Sequence, residues 1–431
     1  MSSRPVGRRR ADRRGTRRRT LETPSGHGHG HGHGHGDHVV DTSVVDQDAV
    51  VARRVRIVVA AVLAPLITAA VIAMIVMWPG GGVKVATYQT DTARGEVTKL
   101  VPCPDKRDQC DLASIKLKTG PDKGKLAPVQ VPQAGKVPIP VEVGQTIMLG
   151  VQTDAKEIAA RYQYVDHDRT KPLLILALVF AIAVVALSRW RGFAALIALA
   201  VTAVMLTQFI LPAILKGSNP LLVAVVGGTV IMAIALFLTH GINAESSIAL
   251  SGTIAALGMT VVLGWFFTKF CLLTGLASEG ASAAKQFSPN LSLTGLLVAG
   301  MVIGALGVLD DVTVTQAAAV WELSAANPSA SRAELISAGL RIGRTHVASV
   351  VNTLVLAYAG AAMPVLITFA IQGLPGQYVL STEMVAMEVV RGLVGSLGII
   401  AAVPLTTTLA ALAVADRSRE LVGVQQPVDN N

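Results

Sequence analysis

The sequence predicts an all-α polytopic membrane protein of about eight transmembrane helices, with a small extracytoplasmic β-rich domain. Of the 431 residues, 52% are hydrophobic and only 15% charged. Mean hydropathy is +0.54. Apolar stretches near the roughly 20 residues needed to cross the hydrocarbon recur along the chain, so the lipid bilayer is the first partner implied.

Residues 1–56 have no apolar periodicity and are expected to form a disordered cytoplasmic tail. Most of the net charge of +9 lies here, in the arginine run from Arg8 to Arg19. Adhesion to an anionic leaflet, or plain positive-inside retention, accounts for that run; nucleic acid is not an expected partner. Next come His27, His29, His31, His33 and His35, alternating with glycine and followed by Asp37 and His38. Imidazoles on so flexible a chain can wrap zinc or nickel, yet they define no fixed coordination geometry. A solvated linker that picks up metal adventitiously is the preferred reading, and no cofactor is expected.

The first transmembrane helix is expected at 57–78 and an extracytoplasmic β-rich module at 79–171. Within the module, short alternating or β-branched runs at 97–101, 113–117, 126–131, 137–143, 146–151 and 161–165 read as strands, with Gly120-Pro121, Gly135 and Gly144 marking turns. Cys103 and Cys110 flank a hydrophilic loop, and an oxidising exterior favours a disulfide between them. Cys271, at a span end, is expected to pack as a small apolar residue.

A seven-helix membrane domain is expected over 172–416, with spans at 172–187, 193–215, 221–239, 247–268, 293–309 with its continuation, 347–371 and 392–415, and a cytoplasmic tail at 417–431. Arg189, Arg191, Arg332, Arg341, Arg344, Arg417 and Arg419 all fall on the side of the Arg-rich N-terminus, which predicts a multi-pass protein with both termini cytoplasmic. Lys216, Lys269 and Arg391 lie singly at outer ends, where long side chains can snorkel. Residues 332–344 read as a short amphipathic surface helix whose Leu335, Leu340 and Ile342 dip into lipid.

The chemistry concentrates in Gly307-Val308-Leu309-Asp310-Asp311-Val312-Thr313-Val314-Thr315-Gln316. Two carboxyls in lipid-compatible sequence cost roughly 3 kcal/mol each at a helix centre, so Asp310 and Asp311 must face protein, water or an ion. Residues 293–326 would span about 50 Å as a helix, too long for one straight crossing. Either the helix breaks near Gly304, Gly307 and the aspartates around a site, or it crosses and runs on into the cytoplasm, with Asp310 or Asp311 acting as a cap or an interfacial charge. A continuous helix aligns Asp311, Thr315, Ala318 and Glu322, oxygen-bearing at all but the alanine and suited to proton relay or a hard cation. Asp310, Thr313 and Gln316 belong to the same polar segment, and Asn352 on the following span can donate to a carboxylate at similar depth.

Absent motifs narrow the classes. There is no Gly-x-x-x-x-Gly-Lys phosphate loop for an ATP-driven pump, no second aspartate from another span for an intramembrane aspartyl protease, and no nucleophile turn to go with His240 or His346. An enzyme is therefore not expected.

The 307–316 run continuing to Trp321-Glu322-Leu323, with Gly343-Arg344-Thr345-His346 and Asn352-Thr353-Leu354-Val355-Leu356-Ala357-Tyr358-Ala359-Gly360, resembles the YibE/F-like family of bacterial multi-span membrane proteins. The resemblance runs from about Val83 to Asp416 and implies an outer module fused to a multi-span domain in a bacterial plasma membrane. It carries no settled biochemical activity. A secondary transporter or permease for a cation or small solute is the functional expectation, with Asp310, Asp311, Thr313, Thr315, Gln316, Glu322 and Asn352 along its path. The alternative is a non-transporting scaffold or accessory subunit whose outer module binds an envelope partner. A homo-oligomer is compatible with both.

Overall fold

The computed structural model describes residues 42–80, 91–103, 110–133, 135–277 and 279–423. The arginine run and the histidine tract lie outside the described residues. Helix α1 covers Thr42–Met77, beginning ahead of the expected span start at residue 57. No glycine or proline precedes Pro65 in it, so nothing interrupts helical hydrogen bonding upstream of the apolar stretch.

Five strands follow: β1 (Asp91–Pro102), β2 (Cys110–Leu117), β3 (Leu126–Pro132), β4 (Thr146–Val151) and β5 (Tyr162–His167), with a single helical turn α2 (Ile158–Arg161) before β5. They form one sheet in the order β3-β2-β1-β4-β5, and every neighbouring pair is antiparallel. The alternation legible in the sequence sets the inner face. Val97, Ala113, Ile115, Val129, Ile147, Leu149 and Tyr162 are buried together, and the edge strands β3 and β5 curl into contact. The expected strand at 137–143 does not form. Pro138 and Pro140 remove two ladder donors, and only Val141 turns into the core.

Cys103 and Cys110 are bonded, with Cα atoms 5.7 Å apart at the mouth of the β1–β2 hairpin. Closing so short a loop removes unfolded-state entropy worth about 2–3 kcal/mol. Replacing both cysteines by serine is therefore expected to lower the module's resistance to urea in the full-length protein by that amount. Hydrogen exchange at the β1 and β2 amides reads the change.

A buried carboxylate locks the opposite end of the sheet. Asp122 accepts from Arg161 Nη1 at 2.7 Å, Lys125 Nζ at 2.8 Å and the Tyr162 hydroxyl at 3.1 Å. Hydrogen bonds from Lys125 and Arg161 hold its acid constant well below the ordinary 3.8, at about 2. Because the folded value is depressed, the stabilisation is complete above the unfolded value and is lost as pH falls through the folded one. Hydrogen exchange at the β5 amides, corrected for its intrinsic pH dependence, should lose protection between about pH 4 and pH 2. In Asp122→Asn the protection should be weaker at neutral pH and should lack this acid step.

The helical part comprises α3 (Thr170–Val204), a π turn over Met205–Ile210, α4 (Leu211–Leu215), α5 (Pro220–His240), α6 (Ala244–Phe270), α7 (Glu279–Phe287), α8 (Leu293–Ala326), α9 (Arg332–Ile371), α10 (Gly376–Ser381) and α11 (Glu383–Gly423). Among the described residues, six helical segments are long and apolar enough to cross a membrane: Thr170–Leu215, Pro220–His240, Ala244–Phe270, Leu293–Ala326, Arg332–Ile371 and Glu383–Val414. The first is broken at Arg189, whose φ of 52° and ψ of −126° leave the helical region. Beside that break the chain doubles so tightly that a Cβ on Gly192 would sit 2.5 Å from the Val184 carbonyl oxygen. The π turn brings Phe209 against Trp78, and Lys216 Nζ donates to the Gly80 carbonyl at 2.6 Å, tying α1 to this region.

Helix starts follow their caps. Asn219, Asn243 and Ser292 accept from the first-turn amides of α5, α6 and α8, and Ser331 and Glu334 form a reciprocal capping box on α9. α8 is the hub, packed against α5, α6, α9 and α11. It runs unbroken from Leu293 to Ala326, the second of the two expected courses, so no break occurs near Gly304 and Asp311, inside the helix, is not a cap; the glycines keep helical dihedrals. Residues 332–344 are continuous with the span that follows. Leu335 is buried and Leu340 packs on the bundle core, leaving only Ile342 exposed. Cys271 is exposed, contrary to expectation, because it caps the end of α6 where the chain turns outward.

Candidate functional site

Continuity of α8 divides the 307–316 run between two faces. Leu309, Val312, Thr313, Gln316, Ala317 and Val320 are buried at helical spacing, which places Thr313 and Gln316 inside the bundle. Thr313 Oγ1 lies 2.6 Å from Thr253 Oγ1 on α6, and each hydroxyl also reaches a backbone carbonyl of its own helix, Asp310 and Ala249 respectively. Gln316 Nε2 donates to the Gly339 carbonyl of α9 at 2.8 Å. On α11, Thr406 and Thr407 are fully buried, and Thr406 Oγ1 has no hydrogen-bond partner. Three helices thus bring hydroxyl or amide side chains, and α9 a backbone carbonyl, together in an otherwise aliphatic bundle.

Asp310 stands at the edge of this layer. It is half-buried, and its Oδ1 is shielded from solvent without any hydrogen-bond partner. A carboxylate oxygen in that state is costly and is open to a proton or a cation. Asp311 faces away, with its side chain 70% exposed from this chain and Oδ2 3.9 Å from His346 Nε2 of α9. Thr315 Oγ1 donates to the Asp311 carbonyl. Thr315, Glu322 and Asn352 are exposed as well, and no described hydrogen bond joins Asn352 to either aspartate. Thr313 and Gln316 therefore belong to the interior with Asp310 at its edge, whereas Asp311, Thr315, Glu322 and Asn352 are each exposed from this chain. Among the described residues no cluster of His, Cys, Asp and Glu is arranged to hold a metal ion.

A second polar feature lies outside the expected site residues. Glu388 and Arg391 on α11 pair at 3.0 Å, and the guanidinium lies 5.9 Å from the ring centre of Tyr358 on α9. Beside them is a cavity of about 210 Å³ between α9, α10 and α11, where Glu388 and Tyr358 are the polar side chains among Val355, Ala362, Val385 and Leu393. The signal was the i, i+3 spacing of opposite charges inside an apolar run; Arg391 taken singly read as a snorkelling residue. Likewise Thr253 and Thr406 gave no hint of depth, because a threonine in a membrane helix can satisfy its hydroxyl on its own backbone.

A bundle of long apolar helices with a sheltered carboxylate and a layer of hydroxyls at its centre defines a polytopic membrane protein. The chain belongs to the YibE/F-like protein family, whose model matches residues 176–416. That match covers the helical domain and omits the β module, a narrower stretch than the resemblance from Val83 suggested. No protein with a curated description and no solved structure matches the chain.

Proposed function

We propose that the protein is a secondary transporter or permease for a small cation or solute in a bacterial plasma membrane. In this reading about eight helices cross: α1, the two limbs on either side of Arg189, and α5, α6, α8, α9 and α11. Both termini are cytoplasmic, since the arginine-rich segments then share one side. The observation that carries the proposal is the Asp310 Oδ1, withdrawn from solvent without a partner beside the Thr253, Thr313 and Gln316 layer. Proton or cation exchange at that carboxylate is the chemistry the surroundings favour, because an unpaired charge in an apolar bundle is relieved by binding either. The Glu388–Arg391 pair and its cavity give the same bundle a polar feature on α11, near that helix's start.

The test is purified protein in liposomes loaded with a pH-sensitive dye and challenged with a panel of cations. Transport predicts dye response to at least one of them above protein-free vesicles. The competing scaffold reading draws on the β module, which has its own core and disulfide and needs no transport to serve as a docking domain. It predicts silent vesicles throughout and retention of an envelope partner by the outer module.

A further inference from the structure

Two of the most exposed large apolar side chains of the β module, Ile139 at 65% and Val143 at 61%, stand on the segment between β3 and β4. Val141, between them, is buried in the module core, which anchors the segment and turns its neighbours outward. Pro138 and Pro140 fix the backbone on either side of Ile139. The sheet register shows which end of the module this is. Ile147 of β4 pairs with His167, the last residue of β5, and the Asp168 amide donates to the Thr146 carbonyl at 3.1 Å. His167 Nε2 lies 3.3 Å from the Ile139 carbonyl oxygen, and Val143 precedes the first residue of β4 by one short turn. From this same end the chain enters α3, which starts at Thr170. The joint is held in place: Asp168 accepts from the Thr170 amide at 3.0 Å and its hydroxyl at 2.6 Å, and Arg169 pairs with Asp166 at 2.6 Å. At most about 10 Å of chain separates His167 from Thr170. Leu173, Leu174, Ile175 and Leu176, which follow within the first turns of α3, are uncovered apolar side chains of a helix long enough to cross a membrane.

We propose that Ile139 and Val143 insert into the headgroup layer of the leaflet that α3 enters, so that the β module rests on the lipid surface through the end that carries the 137–143 segment. The occupant follows from the chain path. The headgroup layer, roughly 6 Å deep on each side of the hydrocarbon, begins where the first turn of α3 does. A segment bonded to His167, a few residues before that turn, is brought to the same level. A soluble partner docking on this end would have to displace the bilayer itself. Apolar side chains at this depth lose contact with water without leaving the interface, as in surface-bound amphipathic segments. Lys136 and Lys171, exposed at the same end, have stems that can lie along the acyl boundary while their ammonium groups meet lipid phosphates. The opposite end of the sheet, with Asp122 and the β4–β5 turn at Asp154, then faces away from the membrane. This contact holds whether the helices transport or serve as a scaffold.

The experiment uses full-length protein in phosphatidylcholine nanodiscs, with Cys271→Ser as background and the Cys103–Cys110 disulfide left intact. Ile139→Cys, Val143→Cys and, at the far end, Asp154→Cys are each labelled with an environment-sensitive nitrobenzoxadiazole dye. Quenching is read with a lipid carrying a doxyl group high on its acyl chain and, separately, with iodide in the water. Labels at 139 and 143 are expected to emit further to the blue than the label at 154, and the lipid quencher should dim them about twofold more. Iodide should show the reverse order. All three side chains are exposed, so these substitutions remove no core contact, and position 143 gives the answer if the 139 variant folds poorly. Iodide quenching at 139 and 143 equal to that at 154, with no response to the lipid quencher, overturns the proposal in favour of a module held clear of the membrane. Shielding of both positions from both quenchers overturns it in favour of a protein cover. Neither readout depends on flux, so failure here leaves the transport reading untouched.

Discussion

Gly343→Leu is expected to prevent α9 from seating on the bundle and to cause the largest loss of stability of any single change considered. A Cβ at this position would lie 2.5 Å from Val403 Cγ1 of α11 and 2.8 Å from Gln316 Oε1 of α8. Both obstacles sit in the interior, and Gln316 is anchored through its bond to Gly339 one turn earlier. Overpacking of this kind costs about 1–3 kcal/mol. Breaking the Gln316 bond leaves a buried amide unsatisfied and adds about 1–3 kcal/mol. The measurement is thermal unfolding in detergent, followed by intrinsic tryptophan fluorescence, with Gly258→Leu as the control. Gly258 is also helical and has open space where its Cβ would be, so its replacement should leave the transition nearly unchanged. Equal losses in the two variants would mean that added bulk at any helical glycine, and not the fit around Gln316, lowers stability, since leucine is the better helix former.

Asp310→Asn is the second large effect, expected in function and not in fold. Asparagine keeps the size of the side chain and removes only the exchangeable charge, and Asp310 makes no hydrogen bond whose loss would unfold the protein. Unfolding temperature should therefore hold or rise slightly, because an unpaired carboxylate is expensive in an apolar surround. Cation-dependent dye response in vesicles should vanish. Asp311→Asn, on the uncovered face, should weaken flux less severely, since Asp311 is outside the Thr253–Thr313 layer. If Asp310→Asn instead transports normally but fails to assemble, the aspartate holds helices together and the scaffold reading gains.

Much of this fold was legible because the physics that writes it is local. Apolar runs of sufficient length marked the long helices, and period-two alternation marked five of the six expected strands. The exception, 137–143, had the right β-branched residues but two prolines that cannot donate to a ladder. Length alone left two courses open at α8, a break or a helix that runs on past a single crossing; the helix continues, and its far end packs against α9 and α11. The stripe of Asp311, Thr315, Ala318 and Glu322 was geometrically sound, but periodicity does not say which face a central helix turns inward. Only tertiary packing does that, by placing Thr313 against Thr253 and Gln316 against Gly339. The amphipathic reading of 332–344 failed for the same reason: its apolar side found protein in place of lipid.

The central claim is that Asp310 is a sheltered carboxyl that exchanges a proton or cation during transport. Carbodiimide labelling of Asp310 in membranes, located by peptide mass spectrometry and read beside vesicle flux, tests it most directly. The account predicts modification by a hydrophobic carbodiimide, protection by the cation that drives the dye response, and loss of flux in step with labelling. Modification solely by a water-soluble, membrane-impermeant carbodiimide, or full labelling with flux untouched, would contradict it.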